Sequence, residues 1–328
     1  MRRIAVLTSI LTLVLAFYFK GPAEGAVKRF SVAVGTIAGT MARLGTGMTE
    51  IFNKNSKDVR LNIIPGGGRT NPVRVATGKA DFGFTYSNFA YMAYSGQKPF
   101  ERKFPMLRGV VMIYKAAYHQ YIAREVFDGG IRSWGDIIKS KRSLRLGVSG
   151  RGSSTEWFSR NVLTFYGLAY DDLRKRGFTI THTGTGENSR AYQARQLDIW
   201  FHNGGPPNAA GIRATMARPT TFMRMPKEVA GHLAKLGAGP ATIPANSYEG
   251  QTEPVHTVGL SGMVLTATKM DPGVVYSLLK IMHANKKFLG RVHRLYKNLD
   301  VKTSGKSMFI PLHEGARRFY TEQGVRLP

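Results

Sequence analysis

Phe30-Ser31-Val32-Ala33-Val34-Gly35-Thr36-Ile37-Ala38-Gly39-Thr40 decides the fold. Residues 30–34 alternate as a strand, and the small-residue turn at 35–40 opens a helical pattern carrying Met41, Leu44, Met48 and Ile51. The same grammar recurs. Residues 59–64 read as a strand broken by Pro65-Gly66-Gly67-Gly68 before a helix containing Val73 and Val75, and residues 81–86 read as a third strand ending at Ser87-Asn88. Further on, 144–148 lead into Ser149-Gly150-Arg151-Gly152-Ser153-Ser154-Thr155-Glu156 and a helix through Phe165, and 197–202 lead into Asn203-Gly204-Gly205-Pro206-Pro207. This alternation predicts an α/β fold with largely parallel sheets, and its restart predicts a second lobe. Strand-like segments at 107–114 and 118–123 carry the chain across, and 257–266 brings it back before a helix at 272–284 with Pro272 in its first turn. The expected organisation is lobe I at 28–116 plus 258–328 and lobe II at 117–257. Two crossings make a hinge and a cleft.

In open α/β sheets the ligand crevice lies beyond the carboxyl ends of the strands. Helix starts there offer free N–H groups and partial positive charge, which suit carboxylates or phosphates without a metal. Composition agrees with an anion: 47 Lys and Arg against 20 Asp and Glu give a formal charge of +27, a field that gathers anions over long range. The basic residues are spread along the chain without a nucleic-acid-binding motif, which argues against nucleic acid as partner. The chain has no cysteine, so a disulfide framework, a lipoprotein anchor and a thiolate metal site are excluded. Arg2 and Arg3, an apolar run at 4–19, and Ala23 and Gly25 before Ala26 read as a signal peptide at 1–25. Export to the periplasm without stable membrane insertion follows from cleavage; an uncleaved anchor is the alternative, although a span needs about 20 apolar residues.

Near the C-terminus, Pro311-Leu312-His313 with Gly315-Ala316 and then Phe319-Tyr320 resembles the closing signature of the TAXI family, the extracytoplasmic receptors of TRAP-type secondary transporters. The resemblance extends over about residues 30 to 325. Val34-Gly35-Thr36 with Gly39-Thr40 looks like the family's first ligand loop, and Gly67, Gly68 and Asn71 stand where it shows Gly-Gly-Ser-x-x-Asn, with Arg69 in place of the small hydroxyl residue. Gly78-Lys79-Ala80-Asp81 is similar to its Gly-x-Ala-Asp step, followed by Ser87 and Asn88, where an Asp is common at the second position. Residues 131–137, with Ser133 as helix N-cap, resemble Ile-x-Ser-x-x-Asp-Leu. Gly152-Ser153-Ser154-Thr155-Glu156 replaces Gly-Ser-Gly-Thr-Glu, and Ile243-Pro244 with Tyr248 resembles Ile-Pro-x-x-x-Tyr. The resemblance implies a bilobed receptor of the type II periplasmic binding-protein class, holding a small organic anion in its interlobe cleft and docking on a TRAP membrane permease. Departures at ligand-loop positions prevent carrying over one substrate. A receptor of this fold that presents its ligand to a sensor kinase is the alternative.

The expected ligand-binding set is Thr36, Ile37 and Thr40 in the first loop; Gly68, Arg69 and Asn71 in the second; Ser87 and Asn88; Arg151, Ser153, Ser154 and Thr155; Asn203; and Tyr248. Arg69 and Arg151 can clamp a carboxylate or stand in solvent. Ser153, Ser154 and Thr155 can donate to an anion or cap a helix. Thr36, Asn71, Ser87 and Asn203 can serve ligand oxygens or turn geometry, and Tyr248 can line the cleft or pack internally. His313 reads as a structural histidine. No His-Glu-x-x-His, Gly-x-Ser-x-Gly or phosphate-loop pattern occurs, and Gly184-Thr185-Gly186-Glu187 is a glycine pattern of low specificity. Neither an enzyme, a metal site nor a cofactor is expected.

Overall fold

The computed structural model describes residues 27–305 and 308–327; the signal-peptide reading at 1–25 lies outside them. The strands are β1 (Lys28–Ala33), β2 (Val59–Ile64), β3 (Phe82–Tyr86), β4 (Leu107–Lys115), β5 (Ala117–Ala123), β6 (Arg145–Ser149), β7 (Thr179–Thr183), β8 (Ile199–Gly204), β9 (Thr220–Phe222), β10 (Gly239–Ile243), β11 (Val255–Gly259) and β12 (Ser261–Ala267). They form two 5-stranded sheets, ordered β2-β1-β3-β12-β4 and β7-β6-β8-β5-β9, and a separate β10-β11 pair. The two sheets share a plan. β1 pairs in parallel with β2 and β3, and β6 in parallel with β7 and β8. The antiparallel member is in each case the strand that enters from the other lobe, β12 in the first sheet and β5 in the second. The sheets are therefore mixed, because a strand fed in from the crossing runs away from the cleft.

The crossings lie side by side. β4 and β5 are separated by Ala116 alone and β11 and β12 by Leu260 alone, and the Ala116 N–H donates to Leu260 O at 2.8 Å. The single return strand expected at 257–266 is thus two strands in two sheets, broken where the chain changes partner. A Cβ on Gly259 would lie 1.8 Å from Ala116 O, so only glycine lets the crossings approach this closely.

Sequence pattern explains the layers. β3 and β8 are buried along their whole length, as central strands covered on both faces must be. The helix Thr40–Asn55 buries Leu44, Met48, Ile51 and Phe52, a stripe at helical spacing. In the second lobe the core is aromatic: Trp134 stacks on Phe201 at 4.6 Å and Tyr121 on Trp200 at 4.6 Å. Ser133 caps the helix Trp134–Lys139 by accepting from Asp136 N. The Pro311–His313 stretch is a strut: Gly109 N donates to Pro311 O and His313 N to Gly109 O, each at 2.9 Å, while the buried His313 ring caps the helix Glu314–Glu322.

Asn71, expected as a ligand donor, is fully buried and committed to backbone. Its Nδ2 donates to Ala33 O, Val34 O and Phe84 O, and its Oδ1 accepts from Gly67 N. One carboxamide thereby ties the ends of β1 and β3 to the glycine turn. Asn71→Ala should lower unfolding free energy by about 2 to 4 kcal/mol, read by urea denaturation, because it orphans several buried groups at once. An unchanged midpoint would remove the tether role. Gly259→Ala should cost about 3 kcal/mol or more, since the clash is with backbone rather than a movable side chain.

Candidate functional site

The turns that follow β1, β2, β6 and β7, with the ends of β3 and β8, face one another around a cavity of about 40 Å³. Its wall comprises Gly35, Thr36, Gly39, Thr40 and Met41, the Gly67-Gly68 turn, Tyr86, Ser149, Ser153, Ser154, Thr155, Thr185, His202 and Asn203. Three helices begin here, Thr40–Asn55, Ser154–Phe165 and Thr185–Gln193, so three positive dipole ends and their unpaired N–H groups meet at one point. No lysine, arginine, aspartate or glutamate is among the lining residues.

The two lobes touch around this cavity. Thr36 Oγ1 and Thr185 Oγ1 are 3.0 Å apart, Gly205 N donates to Thr40 Oγ1 at 3.2 Å, and Arg69 N donates to Gly152 O at 3.3 Å. Phe89 meets Trp157 edge to face at 5.3 Å. This is a closed arrangement, with room for a few water molecules.

Within the wall, β8 is tied to the helix start opposite it. Asn203 N donates to Thr155 Oγ1 at 2.8 Å and Asn203 Nδ2 to Ser154 Oγ at 2.9 Å. Ser153 Oγ accepts from Glu156 N as the N-cap. Tyr114 OH donates to Tyr86 OH at 3.3 Å, and burial pushes both phenols up from their ordinary value. Asn203 Oδ1 and both ring nitrogens of His202 are buried without a protein partner. Burial alone lowers His202 to about 4, so the ring is neutral.

Of the expected set, Thr36, Thr40, Gly68, Ser153, Ser154, Thr155 and Asn203 line the cavity. The others do not reach it. Ile37 is 78% exposed. Arg69 turns toward the ion pair of Glu156 with Arg160, and burial, opposed by Glu156, lowers its guanidinium. Arg151 is exposed. Ser87 lines a separate groove with Lys115 and Gly237, and Asn88 is buried against Gly237. Tyr248 belongs to the core of the second lobe, where its hydroxyl accepts from Asn208 N and Nδ2 and donates to His119 Nε2 at 2.8 Å. Tyr86, Thr185 and His202 lie outside the expected set; Tyr86 is the last residue of β3, Thr185 the first of its helix, and His202 stands two residues before the end of β8, while Gly184-Thr185 is a strand-to-helix turn of the kind recognised elsewhere.

A larger cavity, about 830 Å³, lies between Met112–Lys115, Pro206, Pro244 and the 3₁₀ helix Arg294–Asn298. It holds no converging helix starts, and chemistry rather than size marks the smaller one. Among the described residues no group of three His, Cys, Asp or Glu could hold a metal ion, and no helix is long and apolar enough to cross a membrane.

The architecture has known counterparts. MatC from Rhodopseudomonas palustris with bound malate superposes with a TM-score of 0.57 at 12% identity, over 91% of this chain and 97% of that one. A protein of Bordetella bronchiseptica RB50 gives 0.52 at 13% identity, over 90% and 98%. These likenesses show a common fold. Residues 32–324 match the NMT1-like family, and with nearly the whole two-lobed structure inside that match, the chain belongs to the NMT1-like family.

Proposed function

We propose that this protein is an extracytoplasmic solute-binding receptor of the TAXI type that captures a small organic anion between its lobes and delivers it to a TRAP-type permease. One observation carries the reading: three helix starts and the hydroxyls of Thr36, Thr40, Ser154, Thr155 and Thr185 converge from both lobes on one cavity. Such a wall stabilises negative charge without a cation or metal. The malate bound by MatC, a protein of the same fold, supports an anion. The reading at 1–25 supports a periplasmic location. Binding rather than catalysis is supported by the wall itself, in which Ser154 and Thr155 are held by Asn203 and no carboxylate orients His202.

Direct contacts between the lobes close the cavity, so entry of an organic anion requires the lobes, at 28–116 plus 258–328 and 117–257, to part about the Ala116–Leu260 pair. A thermal-shift panel of malate, lactate, methanesulfonate and sulfate should raise the melting point by about 2 °C or more for at least one anion. No stabilisation by any of them would overturn the anion-receptor reading. Ser154→Ala should weaken the best-bound anion about tenfold by removing one donor. Trp157, 3% exposed against Phe89, should report closure. With Trp134 and Trp200 changed to Phe, its emission should shift to the blue on anion binding; identical spectra would sink the opening and closing of the lobes.

A further inference from the structure

We propose that His202 makes capture proton-coupled: as an oxyanion is seated in the cavity, the imidazole takes one proton from solvent and donates the resulting N–H to the anion. This rests on the receptor reading and adds to it a chemical requirement on the ligand. The bound group must be an acceptor that retains negative charge next to an imidazolium.

His202 is 3% exposed, lies in the cavity wall and has neither ring nitrogen partnered. Buried polar atoms in native structures almost always have partners. Its neighbour on β5 shows the contrast. His119 stands directly opposite in register, with ring centroids 5.8 Å apart. Its Nδ1 donates to Ala117 O, and its Nε2 therefore accepts from Tyr248 OH. Every position of His119 is used by the protein, while both positions of His202 await something else.

The groups facing His202 do not supply a counter-charge. His119 faces it from β5 and Trp200 lies 5.8 Å away on β8 itself. Tyr86 looks in from the first sheet, and Thr40 stands against Gly204 beside Nε2. Beyond Gly205 lies the 3₁₀ helix, whose Arg294 is engaged by Pro206 O. Tyr248, on the far side of His119, is a neutral buried phenol. With no carboxylate in the wall, nothing holds a proton on His202 in the empty cavity, and burial keeps it at about 4. An anion at hydrogen-bond distance reverses that balance, because an opposite charge favours the ionised ring. The anion gains equally, since dipole ends alone surround it and a full charge in a dry cavity counts for far more than in water. Coupling of this kind is reciprocal.

The sign follows. In the free protein the ring binds a proton only near its depressed value; in the complex it binds one at higher pH. Between those two values affinity rises about tenfold per unit fall in pH, for an anion whose own charge is constant, and levels off below about pH 4.

The test uses sulfate, methanesulfonate, lactate and malate with the full-length mature protein. Calorimetry at about pH 6 in two buffers of different ionisation heat counts protons taken up per anion bound. Close to one is expected for the native chain and close to zero for His202→Gln, with the pH slope of affinity lost in the variant. Ring-nitrogen NMR of the native protein gives the same answer should the variant not fold: His202 neutral without anion and protonated with it. Binding with no proton uptake, or uptake that survives His202→Gln, overturns the coupling and leaves the receptor reading standing. Binding of none of the four anions overturns both.

Discussion

A single hydrogen bond between the two crossings, Ala116 N–H to Leu260 O, governs how everything else is arranged. It holds two chain segments so close that position 259 tolerates no side chain. Each crossing is one residue long, so the strands on either side remain members of separate sheets and cannot merge into one. The same shortness fixes direction. Strands entering from the crossing run outward, and the parallel strands β1, β3, β6 and β8 run inward, delivering their carboxyl ends and the following turns to the cleft. The cleft-facing turns are thus a consequence of the crossing geometry.

Charge acts at two scales in this molecule. Of the side chains behind the formal charge of +27, those among the described residues are mostly at the surface, where salt screens them within about 10 Å. Such a field enriches anions of every kind near the protein. The cavity wall, by contrast, contains no charged side chain, and its attraction comes from helix starts and hydroxyls that act only at contact. On the proposed receptor reading, discrimination among anions falls to geometry and hydrogen-bond count. This division also accounts for the two arginines that failed to enter the cavity: Arg151 joins the surface field, and Arg69 braces the interlobe contact at Gly152 and Glu156.

Local pattern made the scaffold legible. Residues 59–64 and 272–284 were read to their ends, because periodicity, proline at a helix start and glycine turns are written within a few residues. Residues 257–266 read as one strand in sequence but form parts of two, since the pairing partner changes at Leu260 and a partner is a tertiary fact. The candidate site shows the same divide. Thr36, Thr40, Ser154, Thr155 and Asn203 were legible because a helix start after a strand has a fixed direction relative to the sheet. Asn71 and Tyr248 occupy equally suggestive positions but point into the structure, toward carbonyls of β1 and β3 and toward Asn208 and His119. His202 was invisible for the converse reason. Two residues inside the end of β8, it reads as core, and only the absence of a partner for its ring distinguishes it from His119.

That missing partner bears on the energetics of closure. The closed arrangement is held by a few polar contacts, those of Thr36, Thr40 and Arg69 with the opposite lobe, and by the Phe89–Trp157 pair. Against them stand three buried atoms without partners in the cavity wall, the two ring nitrogens of His202 and Asn203 Oδ1. When the lobes part, water reaches all three. Closing the cavity without ligand therefore leaves them only the water it can confine, at a cost of up to about 1 to 3 kcal/mol for each atom left unpaired. A ligand that bonds to them cancels most of that cost, a swing of several kcal/mol, close to the ~5.5 kcal/mol that carries a two-state equilibrium from almost entirely open to almost entirely closed. On the proposed reading, the same unsatisfied atoms that select the ligand's chemistry couple its presence to the closed shape.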